Sequence, residues 1–279
     1  MITGKKAKTA FRLSFSYIAL VILTIFCAYP ALWVLMSSFR TGDALFSDKI
    51  IPTSYTISHY IMLFDKHPFG VWYGNTLKIS IASMILGTIL TLLTGYAFSV
   101  FRFTGRKNLM SILLVLGLFP GFMSMIAIYI LLNQMNLLNT HTAVVIVYAA
   151  GAPLYFLFAK SYFDTIPKSL VEAARIDGAG HMPIFFRIVL PLSTPLIVFT
   201  SLMTFTGAFT DFIFAKLVLR SPEKKTLAVG LFDMIGDRFS TEFTTFAAGC
   251  VLAAVPVTIL FILMQRFLVE GLTAGADKG

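Results

Sequence analysis

The window Asn108–Ala159 contains no Asp, Glu, Lys or Arg, and His141 is its one histidine. A soluble helix needs a polar face towards water, and this run offers none. It is also too long for one bilayer crossing, which takes roughly 20 mostly apolar residues. The stretch Asn133–His141, NQMNLLNTH, interrupts it with polar turn-formers. Two spanning helices joined by a short loop are therefore predicted. Uncharged windows at Leu13–Phe39, Ile79–Phe101, Ile188–Thr210 and Phe243–Gln265 each supply one more. The expected fold class is all-α integral membrane: one transmembrane domain over residues 1–279, with six helices at about 13–39, 77–101, 109–132, 142–160, 190–215 and 243–265.

Composition supports this. The chain is 57% hydrophobic and 13% charged, with a mean hydropathy of +0.85. An average soluble domain is about 25% charged, so this chain has too few charges to cover a water-facing surface. The net charge of +9 is carried in short clusters between apolar runs, not on one continuous face. That distribution argues against nucleic acid and for the bias of Lys and Arg towards cytoplasmic loops. The clusters are Lys5, Lys6, Lys8 and Arg12; Arg102, Arg106 and Lys107; Lys160, Lys168, Arg175 and Arg187; and Arg266 and Lys278. With six spans, these thirteen of the 22 Lys and Arg fall on one side if both termini are cytoplasmic; on the other side the loop 133–141 has none, and the remaining nine lie in longer segments (about 40–78 and 216–242), which count for less. The expected location is a plasma membrane, multi-pass. The run Leu13–Phe39 exceeds a signal-peptide core of about 7–15 residues, and bulky Phe26 precedes Cys27, so it is read as an uncleaved anchor. Cys27 and Cys250 are far apart within apolar runs, giving neither a disulfide framework nor a metal spacing.

Several kinds of chemistry are missing. His59, His67, His141 and His181 are all expected in loops, so no Ser/His/Asp set forms within the membrane. No GxxxxGK[ST] or strand-borne GxGxxG motif occurs. No catalytic residue, metal site or cofactor is assigned to this chain, and any energy source must be another protein. Asp211 has two readings. One is a polar contact that lines a pathway or pairs with a neighbouring helix; the favoured one is a solvated carboxylate at the outer interface, since Lys216 and SPEKK (Ser221–Lys225) follow closely. Pro30, Pro120, Pro153, Pro195 and Pro256 lie in the spans, where each can kink its helix. FAAGCVLAAVP (Phe246–Pro256) and YAAGAP (Tyr148–Pro153) permit close helix approach. A stand-alone secondary transporter remains an alternative, though no clear repeat or buried charge supports it. An intramembrane enzyme lacks a catalytic constellation.

Charge returns in VEAARIDGAGHMPIFFRIVLP, Val171–Pro191, within a segment of about 161–190. Pro167 suits a first helical turn. Leu170, Val171, Ala174 and Ile176 are interspersed with Glu172, Arg175 and Asp177, and Glu172 and Arg175 are i,i+3 neighbours. Gly178 and Gly180 are expected to end the helix through a left-handed turn, and a second helix then leads into the fifth span. Periodicity alone fits either an interfacial connector or a helix inserted in a partner's groove.

The spacing Glu172-Ala173-Ala174, three residues, Gly178, nine residues, Ile188, then Leu190-Pro191 resembles the EAA loop of permease subunits in binding-protein-dependent ATP-binding-cassette importers. TLAVG (Thr226–Gly230) and the tail QRFLVEGLTAGADKG (Gln265–Gly279) resemble the smaller, six-span permease of maltose/maltodextrin-type systems. The resemblance implies that Glu172, Ala173, Ala174, Asp177 and Gly178 couple to a cytoplasmic ATPase, with Ile188, Leu190 and Pro191 ending the motif. It also implies that the tail, including Gly271, Leu272, Thr273, Ala274 and Gly275, reaches towards that ATPase. The implied partners are a second permease subunit in a heterodimer, two ATPase subunits holding ATP and Mg, an extracytoplasmic sugar-binding protein and membrane lipid. The loop Leu231–Phe243 would face the binding protein. A maltooligosaccharide is the implied substrate, with raffinose-type or multiple-sugar substrates as alternatives. No sugar-contacting residue is assigned, because in the maltose branch the larger permease supplies them.

Overall fold

A computed structural model describes residues 2–43, 51–118, 121–151, 155–236 and 242–276, with side chains placed for 11–43, 51–118, 121–151, 155–236 and 242–267. Among these residues the regular structure is helical, apart from one isolated antiparallel bridge between Arg40 and Tyr55. The chain divides into two compact units, Met1–Pro68 with Leu231–Ala254, and Phe69–Gly230 with Val255–Gly279.

Among the described residues, three helices are long and apolar enough to cross a bilayer: α1 (Ile2–Ser38) over Phe11–Ser38, α3 (Phe69–Val100), and α14 (Phe243–Ala276) over Phe243–Phe267. Three bent pairs pass the same test together. These are α4 (Arg106–Leu118) with α5 (Gly121–Gln134), α6 (His141–Gly151) with α7 (Phe156–Asp164), and His181–Leu192 with α11 (Thr194–Thr210). Pro30 and Pro256 lie inside α1 and α14. Pro120 and Pro153 lie outside the described residues.

In the first unit, the chain after α1 folds back through the Arg40–Tyr55 bridge and a Thr56 N–H to Phe39 carbonyl bond of 2.8 Å. It then forms α2 (Ser58–Lys66). His59, expected in a loop, is instead a buried residue of α2. Its Nε2 lies 2.7 Å from the Arg40 carbonyl and its Nδ1 3.2 Å from the Thr244 hydroxyl. Thr244 also donates to Asp43 at 2.9 Å, and His67 and Glu242 approach to 2.9 Å. This histidine ties a connector together.

In the second unit, α3 is the spine. Its buried face carries Thr76, Ser80, Ser83, Gly87, Thr91 and Gly95 at intervals of three or four residues. Small residues at that spacing let neighbouring helices approach closely, and within lipid such packing drives association. Gly95 is the tightest point: a Cβ there would overlap the Ala159 Cβ of α7 and lie 3.1 Å from the Lys160 nitrogen. Thr88 and Ser201 of α11 share a buried hydrogen bond of 3.2 Å.

Two apolar cores form around the spine. One joins Ile79 to Leu132 of α5, Val144 of α6, and Phe214 and Val218 of α12 (Ile213–Val218). The other joins Leu92 and Tyr96 to Ala159 and Phe163 of α7, Leu196 of α11 and Ile184 of α9 (His181–Ile184).

α3 begins at Phe69, well before the uncharged window at Ile79. The extra turns are held by long-range bonds. Asn75 donates to the carbonyls of Glu223 and Lys225 at 2.8 and 3.0 Å, and the Thr76 hydroxyl accepts the Leu227 N–H at 2.7 Å. The predicted break in Asn108–Ala159 is present. Asn136 and Asn139 adopt left-handed φ values of 56° and 58°, a conformation asparagine tolerates better than most residues. Asn139 also accepts the backbone N–H groups of Arg220 and Ser221 at 3.0 and 3.1 Å.

The outer segment expected as a loop over Leu231–Phe243 begins as helix. α13 spans Leu227–Gly236, and residues 237–241 lie outside the described ones.

Candidate functional site

The polar segment consists of a short helix, a turn at Gly178 and a further run of short helical pieces. α8 covers Lys168–Ile176, with Pro167 at its N-cap, one residue outside the helix. The missing proline N–H costs nothing there, because the first-turn donors have no intrahelical acceptor. Gly178 has φ +81°. The Gly178 N–H bonds to the Arg175 carbonyl at 3.0 Å, and the Ala179 N–H reaches back to the Ala174 carbonyl at 2.9 Å. This is a Schellman turn, which satisfies carbonyls that the helix end would otherwise leave open. Gly180 takes no part in the left-handed turn. Its extended backbone, φ −74° and ψ 176°, is the N-cap of α9.

The helix has two distinct faces. Val171 and Ala174 are half-buried and pack, with Ala179, on the core around Tyr96, Phe163 and Phe185. Glu172, Ala173 and Asp177 are exposed, Leu170 is 45% exposed and Ile176 is 87% exposed. Helical spacing puts Leu170, Ala173 and Ile176 on one outward strip. The Glu172–Arg175 spacing produces no ion pair within 4 Å among the described residues.

Beyond α9 the chain makes a π turn (Phe185–Val189) and a short helix, α10 (Leu190–Leu192). Ile188 and Leu190 are half-buried and Pro191 is exposed. This segment is clamped to the end of α3. The rings of Tyr96 and Phe185 lie 4.7 Å apart, as do those of Phe101 and His181, and Tyr162 donates to the Leu192 carbonyl at 3.0 Å. The chain then bends by 81° into α11. Pro195 sits in the first turn of α11, not within a continuous kinked span. Ser193, at the bend, is fully buried and donates to the Val189 carbonyl at 2.6 Å.

α7 ends beside this hairpin, past the apolar part of its span. Asp164 there pairs with Lys160 and accepts the Ser99 hydroxyl at 2.7 Å.

Asp211 departs from the favoured reading of a solvated carboxylate. It is half-buried, accepts the Tyr148 hydroxyl of α6 at 2.6 Å, and accepts the Ala215 N–H in the first turn of α12 at 2.9 Å. It therefore ties two helices together. The sequence signal was available in the four-residue offset between Asp211 and Ala215, but its Tyr148 partner was not. The backbone of Gly271, Leu272, Thr273, Ala274 and Gly275 continues α14, while their side chains and residues 277–279 lie outside the described ones. No group of three or more potential metal ligands occurs among the described residues.

Relatives place this architecture. Over its full length the chain is 40% identical to the galactooligosaccharides transport system permease protein GanQ of Bacillus subtilis (strain 168), covering 100% of both chains. It is 38% identical to the maltodextrin transport system permease protein MdxG of the same organism, over 95% of each. A subunit in the crystal structure of a bacterial ABC transporter involved in the import of the acidic polysaccharide alginate has the same fold. The TM-score is 0.78 at 24% identity, over 90% of this chain and 94% of that one. Residues 87–274 match the family described as binding-protein-dependent transport system inner membrane component. The chain therefore belongs to the family of inner-membrane components of binding-protein-dependent transport systems.

Proposed function

We propose that this chain is the smaller, six-span permease subunit of an ATP-driven oligosaccharide importer, and that α8 with its Gly178 turn is where a cytoplasmic ATPase engages it. The two-faced character of α8 carries the second part. One face is packed on the chain's own core, Ala173, Ile176 and Asp177 are left outward, and the exposed Glu172 stands between the two, at the edge of the cleft beside that core. Closure of two ATPase subunits on ATP would then move α8. The motion would pass through the clamped α9–α10 segment to α11 and α3, which line one half of a pathway alternately open to either side. ATP and Mg would bind on the ATPase, not here. A second permease subunit and an extracytoplasmic sugar-binding protein would complete the assembly, the latter facing the outer segment that includes α13.

Three long helices and three bent pairs are compatible with six crossings. The clustering of Lys and Arg at alternate connections supports cytoplasmic N- and C-termini. The tail, of which Gly271–Ala276 continue α14, is read as a second approach to the ATPase.

For substrate, the names of the relatives include galactooligosaccharides, maltodextrin and arabinooligosaccharides. A short neutral oligosaccharide fits all three, and maltodextrin is the first choice, with a galactooligosaccharide as the alternative. In the reconstituted complex with its binding protein, maltotriose is expected to raise ATP hydrolysis several-fold over the sugar-free rate. Stimulation by a galactooligosaccharide alone would replace the substrate, and stimulation by no oligosaccharide would overturn the sugar reading.

A further inference from the structure

The inner side of the α8 hairpin opens on a cleft of about 500 Å³ between the ends of α3, α4 and α7. Five cationic side chains line it: Arg102, Arg106, Lys160, Lys168 and Arg175; two carboxylates, Asp164 and Glu172, oppose them. Two of the cations are already engaged. Lys160 pairs with Asp164, and Arg106 donates to the Phe98 carbonyl. Arg102, Lys168 and Arg175 make no ion pair within 4 Å among the described residues. They belong to three separate stretches of surface around one concavity: the α3–α4 turn, the start of α8 and its last turn. Five positive charges against two negative leave a formal excess of three positive charges around the cavity, and an anion placed among them offsets their mutual repulsion.

The position of the cleft narrows the choice of anion. It lies at the end of the apolar α3 helix, where a membrane protein meets the headgroup layer. Phe101 and Phe103, on either side of Arg102, lie outside the cleft lining; each has a ring contact, with His181 and Phe98 respectively, and still leaves 40% and 44% of its surface exposed beside Arg102, where acyl chains could lie. We propose that this cleft binds a phosphate-bearing anion, with the headgroup of an anionic phospholipid as its occupant. Arg102, Lys168 and Arg175 hold the phosphate, while the Asp164–Lys160 pair forms the wall. The site needs only that the chain spans a membrane, and does not depend on α8 engaging an ATPase.

The test uses the assembled transporter, purified and stripped of lipid. It is titrated with short-chain phosphatidylglycerol, short-chain phosphatidylcholine and inorganic phosphate, with bound lipid counted by native mass spectrometry and phosphate assayed by competition. Phosphatidylglycerol is expected to bind saturably and more tightly than phosphatidylcholine. Each cation near a headgroup contributes roughly fivefold, so R102A/K168A/R175A is expected to weaken binding on the order of 100-fold. Asp164→Asn works in the opposite direction, freeing Lys160 and tightening binding about fivefold, which no folding defect would do. Saturable phosphate binding with the same variant pattern, but no lipid preference, would keep the anion site and change its source to free phosphate. Equal binding of both lipids with no phosphate binding, or unchanged binding in both variants, would overturn the site.

Discussion

Gly178→Val and, separately, Glu172→Ala are expected to lower sugar uptake by at least about tenfold while the chain still reaches the membrane and assembles. The two act by different routes. Gly178 holds φ +81°, a conformation costing an ordinary L-residue about 1–2 kcal/mol and a β-branched one more. To relieve the strain, Val would give up the Ala179 to Ala174 bond that closes the turn and swing the end of α8 away from its docking position. Glu172 is exposed and makes no ion pair within 4 Å among the described residues, so its removal leaves the fold intact. If α8 docks as proposed, what it removes is one charge-assisted contact to the ATPase, worth about 1.5–3 kcal/mol, or roughly tenfold to a hundredfold. ATP hydrolysis in both variants is expected to lose its dependence on sugar. Wild-type uptake in both would end the coupling assignment.

The second large effect is predicted at Gly95. A methyl group at that position would lie 2.4 Å from the Ala159 methyl, with the Lys160 nitrogen only 3.1 Å away. Because α3 packs against α7 here, the clash falls on the spine of the second unit. Gly95→Ala is expected to destabilise by about 1–3 kcal/mol, and Gly95→Leu to prevent accumulation of the folded chain. Ala159→Gly combined with Gly95→Ala exchanges the methyl across the interface and is expected to restore part of the loss. Recovery is incomplete because the Lys160 backbone remains in the way. Thermal unfolding of the detergent-solubilised complex measures all three variants. Unchanged stability in Gly95→Ala would contradict the close approach of these helices.

What could be read in advance from the sequence follows from physics that acts locally. The absence of charge in Asn108–Ala159 forced a membrane assignment, and its asparagine-rich interruption forced a turn, because both depend on nearby residues alone. Gly178 was readable for the same reason: a glycine after an amphipathic run ends a helix in the left-handed conformation whatever lies around it. The misreadings involve distant partners. α3 extends back to Phe69 because Asn75 and Thr76 bond to residues 223–227, and nothing within ten residues of Asn75 encodes that. Asp211 looked solvated because its neighbours in sequence are polar, whereas its hydroxyl partner, Tyr148, comes from another helix.

The break at Ser193 was hidden by an apolar stretch that continues smoothly through it. Apolar composition describes the solvent a helix prefers and gives no direction to its axis, so one run can hold an 81° bend. In the candidate site, the helix and its terminating turn were readable, and the separation of its faces was readable in part. Ile176 had been grouped with Val171 and Ala174 as apolar, yet it points outward at 87% exposure. The basic cleft behind α8 was not foreseen, because its cations come from the α3–α4 turn, α7 and α8.

The central claim is that the outward face of α8 is a docking surface for an ATP-hydrolysing subunit. A photoreactive benzoylphenylalanine in place of Ile176, the most exposed apolar residue of α8, tests it in the assembled transporter within a lipid bilayer. Illumination is expected to yield a covalent adduct between this chain and the ATPase subunit, with a yield that changes when ATP is added. Adducts with lipid alone, in a complex that still contains the ATPase, would contradict the claim.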